Sequence, residues 1–364
     1  MKNYEKYMKQ CIKLARKADG RTAPNPLVGC VILDKSGKEI STGYHKEYGA
    51  LHAEADALNK LGNEAKGGTL IVNLEPCCHW GKTPPCADLI IKKGIRKLVI
   101  GMRDPNPLVA GQGVEKCKKA GIEVIENILH DEAVKLNEVF IKNMTKKEVF
   151  VAIKTATTLD GKIATQNGSS QWITSPRARK EVQKIRNRYD AILTTSSTII
   201  KDNPSMKCSL QGGKNPVRII LDRELKTDFS SKIYSSSGEK VYIVVDKALD
   251  EVKILTIPTH VAVIKCPSDN LKLDLKYLFK KLFELNISSV LIEAGGKLNG
   301  ELVSLGLADK IYQFMAPKIL GDKQGINAFE GRNIDEICNT LNFKFEHIYA
   351  HAPDILLIYS RLKS

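Results

Sequence analysis

Short apolar, β-branched runs alternate with amphipathic stretches along the chain. In the first part VGCVIL, TLIVNL, KLVIGM and EVIEN have the length and composition of strands. HAEADALNKL, PCADLIIKK, VEKCKKAG and DEAVKLNEVFIKNM carry helical spacing, as does the N-terminal stretch, where Tyr4, Tyr7, Met8, Cys11, Leu14, Ala15 and Ala18 share one face and Gly20 can stop the run. The polar segment NMTKKE, residues 143–148, predicts a boundary between domains 1–146 and 147–364. A second alternating series follows. VFVAIKTATTLDG, AILTT, VRIILD, KVYIVVD, HVAVIKC, SVLIEAGG and DILLIYS read as strands. SPRARKEVQKIRNRY, opened by Ser175 and Pro176, and DLKYLFKKLFELN read as helices. No internal repeat relates the halves. Two different α/β domains, each a sheet covered by helices, is the simplest account.

A chain of 364 residues exceeds one ordinary core, and 43% hydrophobic with 27% charged residues excludes disorder. The net charge of +15 raises a polyanion as partner. It splits as +7 over residues 1–146 (24 Lys+Arg against 17 Asp+Glu) and +8 over the rest (32 against 24), so no tail concentrates it. A solvated lysine-rich surface that also suits phosphorylated small molecules is the reading this favours. The N-terminus lacks the apolar run of a signal peptide, and no segment approaches the ~18 apolar residues that span a membrane. Nine cysteines without an export signal argue against a disulfide framework, and a cytoplasmic protein is expected.

The chemistry concentrates in LHAEAD and NLEPCCHWGKTPPC. His52 and Glu54 stand two apart where a helix begins, and Cys86 follows Pro84 and Pro85 at the start of another. A helix N-terminus favours the thiolate that metal binding needs. One imidazole and two thiolates meet the demand of a catalytic zinc, which keeps three protein ligands and an open position. His52, Cys77 and Cys86 are the predicted ligands. Cys77 is chosen over Cys78 because H-x-E followed by P-C and a later Cys is the pattern of zinc-dependent nucleobase deaminases, although the gap between the cysteines is longer here. Glu54 can take a proton from water whose pKa a zinc ion lowers towards ~7, and pass it to leaving ammonia. Cys11, Cys30, Cys117, Cys208, Cys266 and Cys338 read as small buried hydrophobes.

Around these, Asn25 between two prolines is either a stiff-turn residue or an amide for a heterocycle edge. His45 and His79 face substrate or solvent, and Lys82 with Thr83 suits a phosphate without being a P-loop. In the second half no G-x-G-x-x-G follows a strand, which leaves a standard dinucleotide fold unsupported. Gly295 and Gly296 follow a strand and can expose N–H groups to a phosphate, or simply form a turn. Arg177, Arg179, Arg186 and Arg188 form a basic helix face; Trp172 stacks on a ring or anchors a core; Asp160 and Asp202 cap turns or donate protons.

PNPxVG, GYH, HAEA and EPCxHxGKTPPC together resemble the deaminase half of the bifunctional riboflavin-biosynthesis deaminase/reductase. KTATTLDGKIAT, SSQWITSPRARKEVQKIR, TTSSTIIKDNPS and LIEAGGKLNG resemble its reductase half. The likeness implies a cytidine-deaminase-like three-layer α/β domain followed by a dihydrofolate-reductase-like α/β domain. It further implies zinc on His52, Cys77 and Cys86, proton transfer by Glu54, and a diaminopyrimidinone bearing ribose 5-phosphate held by Asn25, His45, His79, Lys82 and Thr83. In the reductase half it implies NADPH near Ala156, Trp172, Thr198, Asp202 and the loop Gly295, Gly296, Lys297, Leu298, Asn299, Gly300, with substrate near Lys154, Ser170, Arg186 and Glu293. Asp202 is the expected proton donor there. One departure is Ser209, which stands where the family often carries an arginine; Lys207 is the nearest substitute. The expected partner is a phosphorylated pyrimidine, in a homo-oligomeric enzyme that binds neither nucleic acid nor membrane. The rivals are a nucleic-acid deaminase, disfavoured by dispersed charge and only 6% aromatic residues, and a zinc-stabilised binding module, which leaves Glu54 without a role.

Overall fold

The computed structural model describes residues 2–80, 84–107, 110–235 and 238–362. It divides into two compact units, residues 1–147 and 148–364. In the first unit the described strands are β1 (Gly29–Leu33), β2 (Glu39–Tyr44), β3 (Thr69–Leu74), β4 (Lys97–Met102) and β5 (Glu123–Ile125). They form one sheet in the order β2-β1-β3-β4-β5, with β1 antiparallel to both neighbours and β3, β4 and β5 parallel. The helices are α1 (Lys2–Ala15), α2 (Ala53–Leu58), α3 (Cys86–Lys92), α4 (Gln112–Lys119), α5 (His130–Leu136) and α6 (Glu138–Lys146).

The two-residue period of the strands builds three layers. Val31, Leu33, Ile71 and Val99 point to one face, where they pack on Met8 and Cys11 of α1. Cys30, Ile32, Leu70, Val72, Leu98 and Ile100 point to the other, against Ala57 and Leu58 of α2, Ile90 of α3 and Val114 of α4. Strands buried on both faces lose alternation and read as continuous apolar runs, which is why β1, β3 and β4 were visible in sequence. β2 was not: it is an edge strand, partly exposed and polar. DEAVKLNEVFIKNM, read as one helix, is two, interrupted at Asn137.

The second unit holds β6 (Phe150–Thr157), β7 (Lys162–Ala164), α7 (Pro176–Arg188), β8 (Ala191–Thr195), α8 (Ser196–Asp202), β9 (Val217–Leu221), β10 (Val241–Asp246), α9 (Glu251–Ile254) and β11 (Val261–Cys266). It continues with β12 (Ser268–Asp269), β13 (Lys272–Leu273), α10 (Leu275–Glu284), β14 (Ser289–Ile292), α11 (Gly296–Ser304), β15 (Lys310–Met315), β16 (Ile326–Asn327), β17 (Phe343–His351) and β18 (Asp354–Arg361). Nine described strands form the sheet β11-β10-β9-β8-β14-β6-β15-β18-β17. Pairing is parallel from β11 to β15 and antiparallel for β18 and β17. Ser175 caps α7 by accepting the Ala178 N–H at 3.3 Å, with Pro176 in the first turn as expected. Leu275, Leu278, Phe279 and Leu282 of α10 and Leu298 and Leu302 of α11 cover one sheet face. Of the cysteines read as core fillers, Cys338 is exposed and Cys208 half-buried, a correction for both.

Candidate functional site

The parallel strands of each unit end at a cavity, the position where an open α/β sheet leaves a crevice beyond its carboxyl ends. In the first unit the chain leaves β3 at Leu74 and runs through Glu75 to Cys77; it leaves β4 at Met102 and runs through Asp104 to Asn106. Both segments line a cavity of about 360 Å³, together with Asn25, His45, His52, Glu54 and His79. His52 is the N-cap of α2, extended at φ −68° and ψ 159°, and Cys86 is the first residue of α3 after Pro85. These helix starts bring His52 Nδ1 to 3.5 Å from Cys77 Sγ and 3.4 Å from Cys86 Sγ. One ligand atom from each of His52, Cys77 and Cys86 falls within 4.8 Å of the other two. The soft and borderline donors and their closeness fit a zinc ion with an open position.

The electrostatics of the cluster follow from its hydrogen bonds. The Cys86 thiol first, then His52 and the Cys86 N–H at 3.3 Å, hold the Cys77 thiol at about 4 against its burial. Cys86 is driven upward by sharing with Cys77 and by burial. Glu54, in the first turn of α2 and 3% exposed, is pushed up to about 7, by burial first and by the neighbouring Cys77 second. Cys78 lies outside the cluster, with its thiol 3.6 Å from Gln112 Oε1. His45 is buried, its ring held between Asn25 Nδ2 at 3.2 Å and the Leu51 carbonyl at 3.0 Å, and burial keeps its pKa below the ordinary imidazole value. Lys82 and Thr83 lie outside the described residues.

Among the lining residues that escaped sequence reasoning are Glu75, Asp104, Asn106 and Phe140. Buried Glu75 accepts the N–H groups of Asp104 and Gly111 at 3.0 Å each and of Val114 at 3.1 Å, and so fixes the loop that carries Asp104 and Asn106. A signal existed, since Pro105-Asn106-Pro107 repeats Pro24-Asn25-Pro26.

In the second unit the carboxyl ends of β6, β8 and β14 border a cavity of about 620 Å³. Lys154, Ala156, Ser170, Trp172, Arg186, Thr198, Asp202, Glu293 and Gly295 all line it. Glu293, directly after β14, receives Arg186 through both oxygens, at 2.6 and 3.0 Å, and has Lys154 Nζ at 3.5 Å. Burial pushes this carboxyl up, yet the Arg186 and Lys154 cations outweigh it and hold it at about 2. Trp172 is 62% exposed, with the Arg179 guanidinium 4.1 Å from its ring centroid, so it is a cavity wall and not a core anchor. Asp202 ends α8, and partial burial raises its carboxyl above the ordinary value.

Two expectations need correction here. The stretch from Gly295 to Gly300 is not a loop: Gly295 is the N-cap of α11, and Gly296 to Gly300 form its first turns. Leu298 is in the core, and Asn299 is buried with Nδ2 donating to the Ala328 carbonyl at 3.0 Å. A Cβ on Gly296 would meet the Asn327 carbonyl oxygen at 2.1 Å, and one on Gly300 the Glu330 oxygen at 1.8 Å. Those glycines admit a neighbouring segment of chain, whereas a Cβ on Gly295 would meet nothing within 4 Å. Only Gly295 of this stretch lines the cavity; Lys297 is exposed. Nor does Lys207 line the cavity; its carbonyl accepts Arg186 Nη1 at 3.0 Å, and the lining cations beyond the Glu293 pair are Arg179 and Lys201. Ser209 is exposed, its N–H donating to Gln183 Oε1 at 2.9 Å.

Residues 1–102 match the family model described as the cytidine and deoxycytidylate deaminase zinc-binding region, and residues 149–357 match the RibD C-terminal domain. Riboflavin biosynthesis protein RibD of Actinobacillus pleuropneumoniae is 40% identical over 97% of this chain and 94% of its own length. The Escherichia coli protein of the same name is 37% identical over 97% and 98%. Among solved structures, a diaminohydroxyphosphoribosylaminopyrimidine deaminase/5-amino-6-(5-phosphoribosylamino)uracil reductase from Thermotoga maritima superposes with a TM-score of 0.86 at 40% identity over 99% of both chains. Acinetobacter baumannii RibD gives 0.87 at 35% identity, over 100% of this chain and 99% of that one. With two cavities at the carboxyl ends of two different sheets and full-length relatives at this identity, the chain belongs to the RibD family of riboflavin-biosynthesis proteins.

Proposed function

We propose that the chain catalyses two successive steps of riboflavin biosynthesis on one phosphorylated pyrimidine. The first is hydrolytic deamination of 2,5-diamino-6-(5-phosphoribosylamino)pyrimidin-4(3H)-one, and the second reduces the ribosyl group to ribityl, giving 5-amino-6-(5-phosphoribitylamino)uracil. The observation that carries the reading is the convergence of His52, Cys77 and Cys86 beside buried Glu54 in the smaller cavity. Zinc, when bound, supplies the Lewis acidity that makes water a nucleophile near neutral pH. Glu54 takes a proton and returns it to the departing amine, a task its raised pKa suits. Asn25 and His45 meet the heterocycle, with His79 on the same wall and Lys82 and Thr83 assigned to its phosphate.

NADPH, when bound in the larger cavity, supplies the hydride that reduces the open-chain imine of the ribosylamine. Gly295 leaves room for close approach to the uncapped N-terminus of α11, whose free N–H groups suit a phosphate. Trp172, Ala156 and Thr198 are assigned to the cofactor, and Lys154, Ser170, Arg186 and Glu293 to the substrate. Asp202 is assigned proton transfer. We further propose a homo-oligomer that takes no nucleic acid and works in the cytoplasm; free cysteines are in keeping with the last of these. No described helix is long and apolar enough to cross a membrane.

The test is ammonia release and NADPH oxidation measured on one preparation. Chelation or Glu54→Gln should abolish ammonia release while NADPH oxidation with pre-deaminated substrate survives. Loss of both activities together, or neither, overturns the assignment of two separate sites.

A further inference from the structure

Asn137 is 2% exposed and sits where a continuous helix was expected. Its backbone, at φ −109° and ψ 22°, leaves the helical region, so α5 ends at Leu136 and α6 restarts at Glu138. Both polar atoms of its side chain reach one distant residue: Oδ1 accepts the Leu27 N–H at 2.8 Å and Nδ2 donates to the Leu27 carbonyl at 3.0 Å. Asn73, fully buried on β3, donates to the same carbonyl at 2.9 Å and accepts the Gly29 N–H at 2.7 Å.

The need for these ties is local chemistry. Leu27 follows Pro24-Asn25-Pro26, and prolines have no N–H with which to join a ladder. Side-chain amides therefore do what backbone pairing cannot. The segment they fix holds Asn25 against His45 at the cavity wall, and the helix that restarts after Asn137 brings Phe140 and Met144 to the same cavity.

We propose that Asn137 is a positioning residue for deamination. Its carboxamide holds the Pro24–Pro26 segment and the start of α6 in one frame, with Asn73 as the second tie, so that Asn25 meets the heterocycle in register. The inference rests on assigning this cavity to the diaminopyrimidine.

Deamination kinetics of Asn137→Ala in the full chain test it, with zinc content and the NADPH-dependent step measured on the same preparation. Losing the paired hydrogen bonds should raise KM about tenfold and change kcat less than about threefold, with zinc and reduction retained. In a double-mutant cycle, Asn137→Ala should add little to the KM of Asn25→Ala, because both act through one amide. Asn137→Ser offers a helix-capping hydroxyl but cannot span to both Leu27 groups, so it should show the same split and serves where the alanine variant does not fold. Additive effects, loss of zinc alongside the KM change, or an unchanged KM while Asn25→Ala raises it, each overturn the positioning role. An unchanged KM in Asn25→Ala itself instead removes the substrate reading on which the inference stands.

Discussion

Glu293 shows how one carboxylate can organise a cavity. Two cations converge on it, and its acidity is held at about 2 against an ordinary 4.5, a gap worth roughly 3 kcal/mol. The folded state then binds fewer protons than the unfolded one below pH 4.5, so this stability is complete above that value and lost as pH falls towards 2. Unfolding of the reductase unit should become easier across that window, and Glu293→Gln should flatten the dependence; an unflattened profile would place the acid lability elsewhere. Arg186→Ala leaves the same carboxylate short of its bidentate partner. It should raise KM for the reductive step and lower the thermal midpoint while deamination proceeds, and an unchanged KM rejects its substrate assignment. At this scale His52, Glu54, Cys77 and Cys86 were legible because metal chemistry demands those residue types, three of them at helix starts and Cys77 in the segment that leaves β3. Glu75 stands in the EPCxHxGKTPPC motif, but its role was not legible, because nothing in sequence tells which backbone N–H groups a buried carboxylate accepts.

Two of the strands that sequence missed share a physical cause. β2 and β17 are sheet edges, held by backbone pairing on one side, and need no apolar signature. β15 is interior, but KIYQFM opens on a buried lysine and carries Gln313, which breaks its apolar run. Asn137 is the reverse case, where helical periodicity continued through a residue whose side-chain bonds end the helix. At α11, glycines that suggested a phosphate loop serve helix packing against residues 327–330. Gly300→Ala drives a Cβ into backbone that cannot yield, and should cost the reductase unit more than about 2 kcal/mol, as overpacking does. Differential scanning calorimetry of the variant should show that loss while zinc content and ammonia release persist; a variant as stable as the parent would mean that the Glu330 segment moves aside.

Across the whole chain, the two units solve the edge problem differently. In the first, β2 ends the sheet with a polar, partly exposed strand and β5 ends it after three residues. In the second, β17 runs for nine residues, pairs among the described residues with β18 alone, and carries Phe345, Ile348 and Tyr349 at 53%, 56% and 47% exposure. A long edge with exposed apolar side chains is a surface for another chain, and a second copy offers the same edge, which is what a two-fold interface requires. The proposed homo-oligomer is therefore expected to form through β17. Light scattering should give at least twice the chain mass of 40.3 kDa. Ile348→Lys should return it to one chain, because a desolvated charge at such an interface costs more than one exposed side chain contributes. Deamination kinetics should be unaltered in that variant, since Ile348 belongs to the reductase unit. A monomeric parent, or an oligomer indifferent to charges placed at both Phe345 and Ile348, would assign this edge no partner of its own kind.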